Sequence, residues 1–229
     1  MTTPSAPAAH AAGTLRRFDG FAAADFDVFA IPGLEARMSA LIERVRPKLT
    51  LLGERLAPAL SAMCGEEMFP HVAKHARRTV HPPNDTWVAF SANKRGYKAL
   101  PHFQIGLFES HLFIQFAVIY EAPDKAAFAR RALSSLADIA RAIPDHYVWS
   151  GDHTVAQSTP HGEMKNDGGL ARLFERLASV KAAEVLCGIE IRRGDERLRD
   201  GEALIGLAEQ TFETLLPLYR MARSAGSAV

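Results

Sequence analysis

The chain lacks most of the features by which a sequence declares its chemistry. It has only two cysteines, Cys64 and Cys187, far apart and in no CxxC spacing, which argues against a disulfide framework or a thiolate zinc site and fits a reducing cytoplasm. Net charge is almost absent, +1 at neutral pH, so there is no global field to attract a polyanion. Long apolar runs are missing, which excludes a helical membrane span and a signal-peptide core. Neither GxGxxG nor GxxxxGK[ST] occurs, so the usual backbone cradles for nucleotide phosphates are absent and no cofactor is expected. No serine sits in a GxSxG elbow, and Cys64 ends an apolar helical stretch where a structural thiol is the simpler reading.

What is present is ordinary globular composition in 229 residues, enough for one domain with a substantial core. Residues 1–24, rich in Ala, Pro, Ser and Thr, are expected to form a disordered tail, residues 25–222 a single domain, and 223–229 a flexible end. Apolar residues from Leu34 through Leu41, Leu49 and Leu56 to Met63 recur in steps of three and four, predicting a helical stripe kinked or divided at Pro47. The same spacing predicts helices from Phe128 to Ile143, stopped by Pro144, from Leu170 to Leu177, and from Leu204 to Tyr219.

Between these lie short aromatic and β-branched runs, TWVAFSA, PHFQIGLFE, HLFIQFAVIYE, HYVWSG and AEVLCGIEIRR, which read as strands. Loops too short for crossover helices require antiparallel neighbours. The expected fold is therefore α+β, with a mainly antiparallel sheet of about five or six strands packed against several helices. If FESH closes a hairpin, Leu107 faces Leu112, Ile105 faces Ile114 and Phe103 faces Phe116 on a wholly apolar side. The opposite side then pairs Gln104 with Gln115, flanked by His102 and Gly106. Such a side is a solvated face, a mutually satisfied amide pair or the floor of a polar cleft.

The segments IPGLEARM, GEEMFPHVAKHARRTVHPPNDTWVAFSANKRGYKALPHFQIGLFESH and LCGIEI resemble the YktB-like family of bacterial proteins, over about Phe26 to Tyr219. The resemblance implies a compact bacterial α+β domain of unknown function and supplies no catalytic residues. The longer Ala-rich start departs from the family pattern.

The stretch HVAKHARRTVHPPND invites a metal reading. On a helix His71 and His75 could share one ion; on a strand they stand roughly 13 Å apart and cannot. Their approach to the sheet predicts a strand. The HExxH signature also fails, because Val72 stands where its glutamate would be. His146, Asp152, His153 and His161 form a second, irregularly spaced group. No metal is expected from either, although Glu66 and Glu67 lie near the first.

Positive charge, by contrast, is concentrated. From His71 to Phe103, Lys74, Arg77, Arg78, Lys94, Arg95 and Lys98 face only Asp85, a local excess of +5 that leaves −4 for the rest of the chain. SANKRGYK reads as a turn presenting Lys94, Arg95 and Lys98, with Tyr97 free to stack; a charged hairpin tip that keeps the sheet soluble has the same appearance. Two functional readings follow. In the first, Arg77, Arg78, Lys94, Arg95 and Lys98 hold a small phosphate- or carboxylate-bearing ligand beside His102, Gln104 and Gln115, with His102 placed for proton transfer. In the second, the basic stretch binds nucleic acid or an acidic protein without chemistry, with Trp87, Tyr97 and Phe103 as stacking partners. Near-neutral overall charge favours the first.

Overall fold

A computed structural model describes residues 17–226. The described residues form one open sheet of seven strands, all antiparallel, in the order β1-β2-β3-β4-β7-β5-β6. The strands are β1 Phe69–Val72, β2 Asp85–Ser91, β3 His102–Phe108, β4 His111–Val118, β5 Val148–Ser150, β6 Thr159–Pro160 and β7 Val185–Arg192. The helices are α1 Ala23–Asp27, α2 Leu34–Ala40, α3 Arg46–Cys64, α4 Lys125–Ser134, α5 Leu136–Ala142, α6 His161–Asn166, α7 Gly169–Ser179 and α8 Gly201–Ala225. The α+β expectation holds, with β1 and β6 added at the sheet edges.

The hairpin has the register its alternation requires: Phe103 opposite Phe116, Gln104 opposite Gln115, Ile105 opposite Ile114. Its apolar side joins Val88, Phe90, Ile189 and Ile191 in one core, against which Leu49, Leu52, Leu56 and Leu60 of α3 and Leu204, Phe212 and Leu215 of α8 are buried. Branched and aromatic side chains fill the hairpin's part of this side, which makes a one-residue slip costly.

Pro47 is accommodated by a turn of π-helix at Leu41–Val45 just ahead of α3. The bulge absorbs the donor that proline lacks, as such bulges do. The single helix expected from Phe128 to Ile143 is instead two, broken at Ser135; Ile143 is extended, as a residue ahead of proline tends to be. Phe18 and Phe21, inside the expected tail, are buried in the core, and α8 continues past residue 222 to Ala225. The rest of the expected terminal tails, residues 1–16 and 227–229, lies outside the described residues.

Candidate functional site

The second side of the sheet is covered by loops. Residues 73–84 and 92–101 come over it from the β1 and β2 edge, and residues 151–158, after β5, come from the other. Trp87 of β2 lies between them: the ring of His75 approaches it at 5.5 Å and that of His153 at 6.3 Å, both nearly perpendicular.

His102, Gln104 and Gln115 form a hydrogen-bonded line under these loops. His102 Nδ1 lies 2.8 Å from the Leu100 carbonyl, and its Nε2 lies 2.9 Å from Gln104 Nε2. Gln115 Nε2 donates to Gln104 Oε1 at 3.0 Å. Tyr97 covers His102, with ring centroids 4.8 Å apart, and accepts a hydrogen bond from Trp87 Nε1 through its hydroxyl. His102 is fully buried and Gln104 nearly so. Of the three readings of this side, the structure has the mutually bonded amide pair, in a sealed layer of which Gln115 alone is partly exposed. Burial holds the His102 pKa down at about 4, so this ring is neutral and enclosed, and the expected proton-transfer role does not suit it.

The ionisable chemistry lies elsewhere on the same face. Glu184, one residue before β7 and only 4% exposed, accepts from the backbone N–H groups of His153 and Tyr120 and lies 2.7 Å from His153 Nδ1. Burial pulls the His153 pKa down, but the bond to Glu184 and the charges of Glu184, Asp85 and Asp152 outweigh it, and the net shift is upward. A protonated His153 would carry a second N–H at Nε2, an atom with no hydrogen-bond partner among the described residues. A histidine fixed by a buried carboxylate can hold an anion or pass a proton. Asp85 stands beside this pair at 5% exposure. Burial raises its pKa to about 6, against the opposing pull of His153 and Arg78.

One atom each from Asp152, His153 and Glu184 falls within 4.8 Å of the others. A cation there would compete with the His153–Glu184 bond and with the donors of Thr154, which already occupy Asp152 Oδ1. The first histidine group does not converge. His71 lies in β1 and bonds the Asn93 carbonyl, whereas His75 lies beyond the strand at φ +52° and bonds Thr86.

The basic residues divide. Lys98 pairs with Glu121 at 2.8 Å, and Arg77 also lowers the pKa of that carboxyl, after the larger effect of Lys98 and against a smaller effect of burial. Arg78 bears on both His75 and Asp85. Lys94 and Arg95 remain exposed on the turn. Of the three proposed stacking aromatics, Phe103 is sealed in the core, and Trp87 and Tyr97 are bound to each other.

Sequence reasoning missed Glu184 and Asp85. Glu184 is separated from His153 by 31 residues, and no local spacing links them. The signal for Asp85 was its isolation as the one acid in the basic stretch.

A family model described as "Domain of unknown function (DUF1054)" matches residues 21–219. A UPF0637 protein of Bacillus licheniformis is 52% identical over 88% of this chain and 95% of its own length. One from Bacillus velezensis is 51% identical over 88% and 95%, and one from Bacillus cereus 50% over 88% and 96%. The resemblance carried by IPGLEARM, the long central segment and LCGIEI thus extends over nearly the whole described fold, and the chain belongs to the DUF1054 family.

Proposed function

We propose that the loop-covered face of the sheet binds a small phosphate- or carboxylate-bearing ligand, held by Arg77, Arg78 and Lys98 and approached by His153. The observation that carries this reading is the buried cluster of ionisable side chains Glu184, His153 and Asp85 beneath a loop that brings Arg78 to bear on it. Buried charge away from a core is costly, and such groups concentrate where a fold does chemistry or binds. Lys94 and Arg95, on the exposed turn, belong to the solubility of the hairpin tip.

Thermal denaturation with a panel of nucleotides, sugar phosphates and carboxylates tests this. At a ligand concentration of about a hundred times Kd the native state gains near 2.7 kcal/mol, a shift of several degrees. Arg78→Ala and Lys98→Ala should each reduce the shift, and the Lys94→Ala/Arg95→Ala double variant should retain it. If no member of the panel raises Tm, or if only an oligonucleotide does so and through Lys94 and Arg95, the small-ligand reading is wrong.

A further inference from the structure

A cavity of about 20 Å³ lies between the sheet and the 151–158 loop, lined by Gln115, Glu190, His111, His153, Phe108 and Phe113 among others. That volume admits one water-sized group, since about 10–15 Å³ suffices for a water. What the wall offers that group is set by a chain of hydrogen bonds running in one direction.

The Leu100 carbonyl can only accept, so His102 Nδ1 carries a proton. The neutral ring then has a bare Nε2, which accepts from Gln104 Nε2. Gln104 Oε1 is left to accept from Gln115 Nε2. Gln115 therefore turns one amide limb back along the chain and keeps its Oε1 as an acceptor with no partner among the described residues. Glu190 lines the same cavity. Its partner is His111, 3.6 Å away, whose own Nδ1 is engaged with Ser110 Oγ at 2.8 Å. Burial lowers the His111 pKa despite Glu190, and Glu190 has no other cationic side chain beside it among the described residues. Asp152 adds another carboxylate to the wall, and Phe108 and Phe113 add aromatic rings, which favour a cation; the ring of His153 also lines it, with its Nδ1 held 2.7 Å from the buried Glu184 carboxylate, which counters any charge that ring carries. Phe108 also borders a wider cleft of about 530 Å³ with Asn84 and Ala156, where the body of a ligand can lie.

We propose that this cavity takes the protonated amino group of the ligand, with Gln115 Oε1 as fixed acceptor and Glu190 as counter-charge, so that the ligand is a small zwitterion with an amine at one end and a phosphate or carboxylate at the other. This inference rests on the anionic-ligand reading above and narrows it to amines. Gln115 and Glu190 are specificity-determining, and Arg78 serves the anionic end.

Isothermal titration of phosphoethanolamine and γ-aminobutyrate, each against its deaminated counterpart, ethyl phosphate and butyrate, tests the proposal. At least one amine should bind about tenfold or more tighter than its counterpart. Glu190→Gln and Gln115→Leu should each abolish most of that ratio while leaving the deaminated compound's affinity unchanged, whereas Arg78→Ala should weaken both members of the pair alike. Glu190→Gln, at a partly exposed position, keeps the test decisive if Gln115→Leu unfolds. Equal affinities within both pairs, or a ratio that survives Glu190→Gln, would overturn the amine assignment and leave the anionic reading standing. Failure of all four compounds to bind, with sugar phosphates or nucleotides still raising Tm, overturns only the amine; failure of every anion overturns both.

Discussion

At the scale of single residues, the polar face is governed by which side chains can be charged. Asp85 is 95% shielded, and burial raises its pKa from 3.8 to about 6. A carboxyl whose folded pKa lies above its unfolded one binds a proton in the native state across pH 4 to 6, where the unfolded chain has released it. Stability therefore falls as pH rises through that window and stays lower above it. Asp85→Asn removes the ionisation, so the variant should gain stability over the parent as pH increases, by on the order of 3 kcal/mol at pH 8 and by little at pH 4. Urea denaturation across this range measures the difference; parallel pH profiles for the two proteins would mean that Asp85 is not held in a desolvated environment. His153 has the same dependence in its own range. Its pKa is raised, so its contribution is complete below the unfolded value of about 6.5 and lost as pH rises through the folded one. None of this was legible beforehand, because desolvation is a property of the loops that close over a residue, and Asp85 in the sequence is one acid among many bases.

At the scale of elements, the hairpin was the most legible part of the fold. Alternation in FQIGLF and LFIQFA leaves one register that buries Phe103, Ile105, Leu107, Leu112, Ile114 and Phe116 together, with Phe113 falling opposite Gly106 on the other face, and the structure has that register. The same alternation could place Gln104 against Gln115 but could not decide between a cleft and a closed pair. That outcome depends on Tyr97 folding back over His102 and on the 151–158 loop crossing the sheet, contacts with no periodic signature. Strand β6 was illegible, and β1 legible only as the strand expected at His71, for a simpler reason: each is short and contains a proline, the residue that argues against a strand except at an edge. Gly188 shows how tightly the layers fit here. It lies opposite Gln115 in β7, and a Cβ at that position would stand 2.0 Å from the Ile114 carbonyl oxygen and 2.6 Å from Gln115 Cα. Backbone cannot yield as a side-chain end can, so Gly188→Ala should force β4 and β7 apart and cost about 3 kcal/mol or more. Gly206→Ala, on the exposed side of α8 with nothing within 4 Å, should instead be neutral or stabilising by about 0.5–1 kcal/mol. Chemical denaturation of the two variants side by side checks both signs.

For the molecule as a whole, composition correctly implied one core, but its boundary at the N-terminus was misread. The segment before residue 25 has an Ala- and Pro-rich character that hides two phenylalanines among small residues. Phe18 and Phe21 pack edge to face at 5.6 Å and are 2% and 1% exposed. Phe21 N–H donates to the Leu198 carbonyl at 2.6 Å, and the backbone of Phe18 lies so close to Gly201 that a Cβ there would meet its carbonyl oxygen at 1.7 Å. The segment thus locks the start of α8, the helix that spans the back of the sheet, and its removal exposes the underside of that helix. Relative to a chain beginning at Arg17, one beginning at Ala22 loses both rings and the Leu198 contact. Each buried Phe truncated to Ala costs about 3–5 kcal/mol, comparable with much of the 5–15 kcal/mol that holds an average domain together. The shorter chain should melt at least ten degrees lower, or fail to fold, by about 4–8 °C for each kcal/mol in a small domain and about half that at this size. Phe18→Ala and Phe21→Ala in the full chain should each lower Tm less than the truncation does, since one ring and the Leu198 backbone contact remain. Equal melting of the chains beginning at Arg17 and Ala22 would place residues 17–21 outside the cooperative unit and return the boundary to where composition alone had put it.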